Sequence, residues 1–157
     1  MVVSKSTKTK ILSLFVIVVS CLLSVSSVAH PDAKGVVKER MVTMKALASS
    51  MKALNQVKSG LMPIAASSKI SEKIIELSKL IPEQFPTGTY AFPSEASPKI
   101  DSERVRFERM AAKLREAAST IPKIAQAGDL NKFTSSFKDI GKTCSACHRA
   151  FRVKRQR

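Results

Sequence analysis

The 157-residue chain predicts an all-α fold, an antiparallel up-down-up-down four-helix bundle. Apolar residues recur at helical spacing in four separate stretches, and no stretch shows the alternation that a half-buried strand requires. The connections between the four are mostly short, as antiparallel neighbours need.

The first helix is expected over about residues 32–58. Val37, Met41, Met44, Ala48 and Met51 advance by four, three, four and three, which makes one stripe, and Gly60 is a stop signal. The second, over about 67–80, carries Ile70, Ile74 and Leu77 and is closed by Pro82. Residues 82–97 are rich in Pro, Gly, Ser and Thr and read as one long irregular loop. The third helix, over about 98–127, shows Phe107, Ala111, Leu114, Ala118 and Ile121, and Pro122 should interrupt its last turns. Asp129 is a natural N-cap for the fourth, over about 130–152, with the stripe Phe133, Phe137, Ile140, Cys144, Cys147, Phe151.

Two members of that last stripe belong to Cys144-Ser145-Ala146-Cys147-His148. Residues three apart on a helix share a face, so both thiols point the same way and the imidazole follows directly. This C-x-x-C-H run is the attachment motif of c-type haem, in which the thiols add across two vinyl groups and the imidazole binds the iron. A structural zinc site needs about four Cys or His ligands. Only Cys21 and His30 remain, both near the N-terminus. A redox dithiol would open a helix after a strand, and this run lies deep in a helical pattern. Because the cysteines are in register with core residues, one haem c is expected within the bundle, with the long loop around its edge.

The N-terminus points to export. Lys5, Lys8 and Lys10 form a basic region, Ile11 to Leu23 an apolar one, and Ser27-Val28-Ala29 a small-x-small cleavage site. Residues 1–29 then form a secretory signal and 30–157 a single bundle domain in the periplasm, beginning at His30 and holding two cysteines, both consumed by haem. Val18-Val19-Ser20-Cys21 also reads as a lipidation box that would tether the chain through Cys21, and an uncleaved anchor is a third reading.

The formal net charge is +15 and stays strongly basic without the three signal lysines. Such a surface favours acidic redox partner proteins or an anionic membrane, and leaves room for a homodimer. Export and the scarcity of aromatics, one Tyr and no Trp, argue against nucleic acid. Arg149, Arg152, Lys154, Arg155 and Arg157 read as a solvated tail.

Several motifs together resemble the class II c-type cytochromes, comprising cytochrome c′ and cytochrome c-556. They are the C-terminal placement of Cys144-Ser145-Ala146-Cys147-His148 followed by Phe151-Arg152, the Gly128-Asp129 junction, Phe85-Pro86-Thr87-Gly88-Thr89 in the loop, and Arg40-Met41-Val42-Thr43-Met44-Lys45 in the first helix. Many members open the third helix with Ile-Trp, where this chain has Ile100-Asp101.

The resemblance implies a role for the residue four after the first-helix arginine. In cytochrome c′ it is apolar and leaves the iron five-coordinate and open to gases such as nitric oxide or carbon monoxide. In cytochrome c-556 it is a methionine whose thioether closes the sixth site. Here it is Met44. Periodicity alone makes Met44 core packing beside Met41 and Met51; the resemblance makes it an iron ligand opposite His148. The resemblance also implies that Arg40 pairs with a haem propionate through a bidentate bond. Arg152, one turn past His148, reads either as a neighbour of the haem's proximal face or as a surface residue. The expected function is a mono-haem electron carrier that converts no substrate. The alternative is a five-coordinate gas binder in which Met44 only packs.

Overall fold

The computed structural model describes residues 33–153. The expected signal 1–29, with Cys21, and also His30 and the tail from Lys154 to Arg157 lie outside the described residues. Six helices follow in order: α1 Gly35–Lys58, α2 Ala66–Leu80, α3 Lys99–Ser102, α4 Arg104–Ser119, α5 Ile121–Gln126 and α6 Leu130–Phe151. The long ones, α1, α2, α4 and α6, make a four-helix bundle; α3 leads into α4, and α5 prolongs it. Neighbours pack as α1 on α2, α2 on α4, α4 on α6 and α6 on α1. Among the described residues there is no strand, only one antiparallel bridge between Ala96 and Arg152.

The punctuation follows local chemistry. Past the end of α1, Gly60 takes φ +72°, and its N–H bonds to the Val57 carbonyl at 3.0 Å while that of Leu61 reaches Gln56 at 2.9 Å. This left-handed turn satisfies carbonyls the helix end leaves free, and it suits a residue without Cβ. The expected third helix is broken after Ser119, and Pro122 sits in the first turn of α5, where its missing N–H costs nothing. Gly128 turns the chain at φ +66° into α6, whose N-cap Asp129 accepts the Lys132 N–H at 2.9 Å.

In α4 and α6 the buried residues lie on the expected stripes: Phe107, Ala111, Leu114 and Ala118 in one, Phe133, Ile140 and Phe151 in the other. In α1 the expected stripe needs correction. The buried line is Arg40, Thr43, Leu47, Ser50, Leu54 and Val57, one position round from the methionines, and Ala48 is exposed. In α2 the line is Ser67, Ser71, Ile74 and Ser78, with Ile70 and Leu77 half-buried. Small side chains let helices approach closely. Each buried serine satisfies its hydroxyl on a carbonyl three residues back: Ser67 donates to Ile64 O at 2.6 Å, Ser71 to Ser68 O at 2.8 Å and Ser78 to Ile75 O at 2.7 Å. With the hydroxyls satisfied, an inner position occupied by serine carries little penalty, and a pattern reading that seeks large apolar residues misses it.

Residues 82–97 contain no helix, as expected, and cross the end of the bundle where α1 begins and α6 ends. The far end of this loop is sewn to α6 by Ser97 N–H to Phe151 O at 2.8 Å and Val153 N–H to Glu95 O at 2.9 Å.

Candidate haem site

The motif occupies the last turns of α6. Cys144 and Cys147 are free thiols, both half-buried, and both pack on the edge of the main apolar cluster. Met44 and Met51 of α1 and Phe137 of α6 pack on the same cluster, whereas Met41 does not. The structure therefore brings Met44 and the two cysteines to one core and separates Met44 from Met41. His148 follows on the exposed side of the helix.

The electrostatics bear on the rival chemistries. Burial raises the Cys144 thiol and pushes that of Cys147 up to about 11, with neighbouring Cys144 adding to the second. A redox dithiol needs the opposite, a thiolate stabilised at a helix N-terminus, and these thiols sit near a C-terminus. Among the described residues no group of three His, Cys, Asp or Glu side chains could hold a metal ion, which disfavours a zinc site. Desolvation, and secondarily the charge of Arg152, lowers the His148 pKa and favours the neutral imidazole that a metal requires. Two unionised thiols on an apolar edge, a neutral imidazole beside them and a thioether on the facing helix are a donor set that fits haem c.

Arg40 is buried and bound to the loop. Its Nε donates to Gln84 O at 2.9 Å, Nη1 to Thr89 O at 3.1 Å and Ser94 Oγ at 2.7 Å, and Nη2 to Thr89 Oγ1 at 2.7 Å. The guanidinium also lies over the Phe85 ring, 4.0 Å from its centroid. An arginine has five N–H donors, so one, on Nη2, has no partner among the described residues. In this arrangement that donor is the one left for the propionate that the resemblance implies. Phe85, Phe107 and Phe151 continue as a tilted and a T-shaped pair, with centroids 4.9 and 5.4 Å apart.

Asp101 of α3 gathers the loop from the other side. It accepts the Tyr90 hydroxyl at 2.5 Å and the Thr87 hydroxyl at 3.1 Å, and Arg104 lies 3.6 Å away. Arg104 donates in turn to Phe85 O at 2.6 Å. Arg152 proves to be a clasp: its Nε and Nη2 converge on Glu95 Oε2 at 2.7 and 2.5 Å. The partners Gln84, Thr89, Tyr90, Ser94 and Glu95 were not foreseen, since nothing local in a loop sequence says which helix its polar groups will meet.

Comparison with known proteins bears on the whole arrangement. The family model described as cytochrome C′ matches residues 35–152. A cytochrome c′ of Pararhodospirillum photometricum is 32% identical over 126 residues, 79% of this chain and 99% of the relative. A cytochrome c-556 of Agrobacterium tumefaciens (strain II Chrys) is likewise 32% identical, over 124 residues, 77% of this chain and 99% of that protein. The solved recombinant cytochrome c′ of Alcaligenes xylosoxidans superposes with a TM-score of 0.68 at 30% identity, covering 76% of this chain and 94% of that one. The family model spans nearly all of the described region, and the chain belongs to the class II c-type cytochromes, haem proteins with a covalently bound haem c.

Proposed function

We propose that this cytochrome is an exported, periplasmic single-electron carrier whose haem is held through Cys144 and Cys147, with His148 on one side of the iron and Met44 on the other. The observation that carries the reading is that Met44, like the two thiols, packs against the main apolar cluster, with Met41 outside it. Bound haem supplies the one-electron couple. The chain's own residues do the rest. A neutral thioether is a soft ligand that favours the reduced metal and serves both oxidation states with little rearrangement. Phe85, Phe107 and Phe151 keep water from the apolar interior, and Arg40 holds the loop with one N–H left for a propionate oxygen. The basic surface suits an acidic redox protein as partner.

The test is Met44→Leu, which conserves volume and removes only the sulfur. The wild-type protein should be low-spin, show a thioether-to-iron charge-transfer band when oxidised and bind carbon monoxide slowly. The variant should be high-spin, bind carbon monoxide readily and have a lower potential, while Met41→Leu leaves the spectrum unchanged. A wild-type protein that is already high-spin would transfer the assignment to five-coordinate gas binding, with Met44 as packing.

A further inference from the structure

The long helices differ in how their surface charge is compensated. Lys79 pairs with Glu76 on α2 at 2.7 Å, Arg106 of α4 with Glu103 at 2.5 Å, and Lys142 with Asp139 on α6 at 2.7 Å. α1 has no ion pair among the described residues, although Lys38, Lys45 and Lys52 are exposed on it and Lys34 stands just before it. No acidic residue lies three or four positions from any of these lysines; the only acid of α1 is Glu39.

The spacing turns these charges into a row. Lys34 and Lys38 are four apart, and Lys45 and Lys52 follow at intervals of seven. Seven residues fall about 20° short of two turns, so the side chains leave one side of the helix in a nearly straight line. From Lys38 to Lys52 the line is about 21 Å long. Met41 and Val42 each lie three or four residues from both Lys38 and Lys45, and so sit between them; Val42 is 61% exposed. A small apolar centre rimmed by cations is the anatomy of a protein interface.

We infer that this lysine row on α1, centred on Val42, is the docking surface for an acidic redox protein carrying a line of carboxylates. The inference deepens the electron-carrier reading and rests on it, because Met44 projects from the same helix and a partner seated on the row lies about one helix diameter, roughly 10 Å, from it. Charge complementarity selects the occupant. A second copy docked through a two-fold axis would set lysines against lysines. A membrane surface would need several large apolar side chains to insert, and Val42 is the only exposed large one on α1.

The experiment compares two double variants of equal charge change in the holo-protein: Lys38→Glu with Lys45→Glu on α1, and Lys69→Glu with Lys73→Glu on α2, where glutamates already alternate with the lysines. A poly-L-glutamate peptide is titrated at low salt and followed by amide NMR shifts. The wild type should shift along residues 34–52, binding should weaken about tenfold in the α1 variant, and less than about twofold in the α2 variant. Low-salt oxidation by hexacyanoferrate(III) should slow in the same order. Equal weakening in both variants, or shifts spread over all four helices, overturns the surface. So does wild-type binding to phosphatidylglycerol vesicles, lost in the α1 variant, without any binding to polyglutamate. Peptide binding that behaves as expected in a protein whose spectrum is high-spin keeps the surface and removes only the carrier reading.

Discussion

Helices α6 and α1 pack side by side in the bundle, yet their sequences relate to burial in opposite ways. On α6 the apolar stripe is the buried stripe: Phe133 and Ile140 are fully enclosed, and the cysteines lie on the same side. On α1 the buried line runs through Arg40, Thr43 and Ser50, while the methionines stand one position round, half-covered. Apolarity thus records more than protein core. It marks every surface that meets an apolar neighbour, and on the proposed ligation the flank of α1 bearing Met44 and Met51 is the one the haem would cover. The buried polar residues of α1 have another cause. The loop over residues 82–97 descends on the beginning of this helix with carbonyls and hydroxyls that need a donor, and Arg40 supplies four N–H bonds to them.

The contrast can be broken most directly by truncating one residue on each helix. Phe133→Ala should destabilise the holo-protein by about 3–5 kcal/mol in urea unfolding. Met41→Ala, off the apolar cluster, should cost less than about 1 kcal/mol. Equal losses would mean that the α1 flank is core after all.

A smaller effect is expected where polar burial is structural. Arg40→Leu leaves the Gln84 and Thr89 carbonyls and the Ser94 hydroxyl without their donor, and should cost about 2–3 kcal/mol. Proteolysis should then cut first between residues 84 and 94. A variant as stable and resistant as the wild type would show that solvent replaces the guanidinium freely, and the buried line of α1 would lose its explanation.

The smallest effect sharpens the loop's side of the comparison. Tyr90, the only tyrosine in the chain, has its pKa raised to about 12 by burial and then by its hydrogen bond to Asp101. An unfolded tyrosine ionises near 10. Between those values the unfolded chain has released a proton that the native one keeps, so the contribution is fully present below about pH 10 and is lost as pH rises towards 12. The phenolate difference absorbance should therefore have its midpoint near 12 in the native protein. Asp101→Asn should move it down, and a wild-type midpoint near 10 would show that the contact does not persist in solution.

Much of this molecule could be read from residues alone, for reasons tied to local chemistry. Helix limits depend on Gly60, Pro82, Gly128 and the Asp129 cap, each of which acts on its own backbone or the next few residues. The haem motif is legible because attachment chemistry demands two thiols and an imidazole within five consecutive positions. Chain order and short connections then leave few bundles to choose from. What sequence could not reveal depends on partners distant along the chain. Nothing near Arg40 announces Thr89 and Ser94, nothing near Arg152 announces Glu95, and serine at the centre of α2 becomes sensible only once neighbouring helices press against it. Tertiary structure also separated Met44 from Met41, because which flank of α1 meets the apolar cluster is set by the rotation of the whole helix, and packing of the bundle and the loop fixes that rotation.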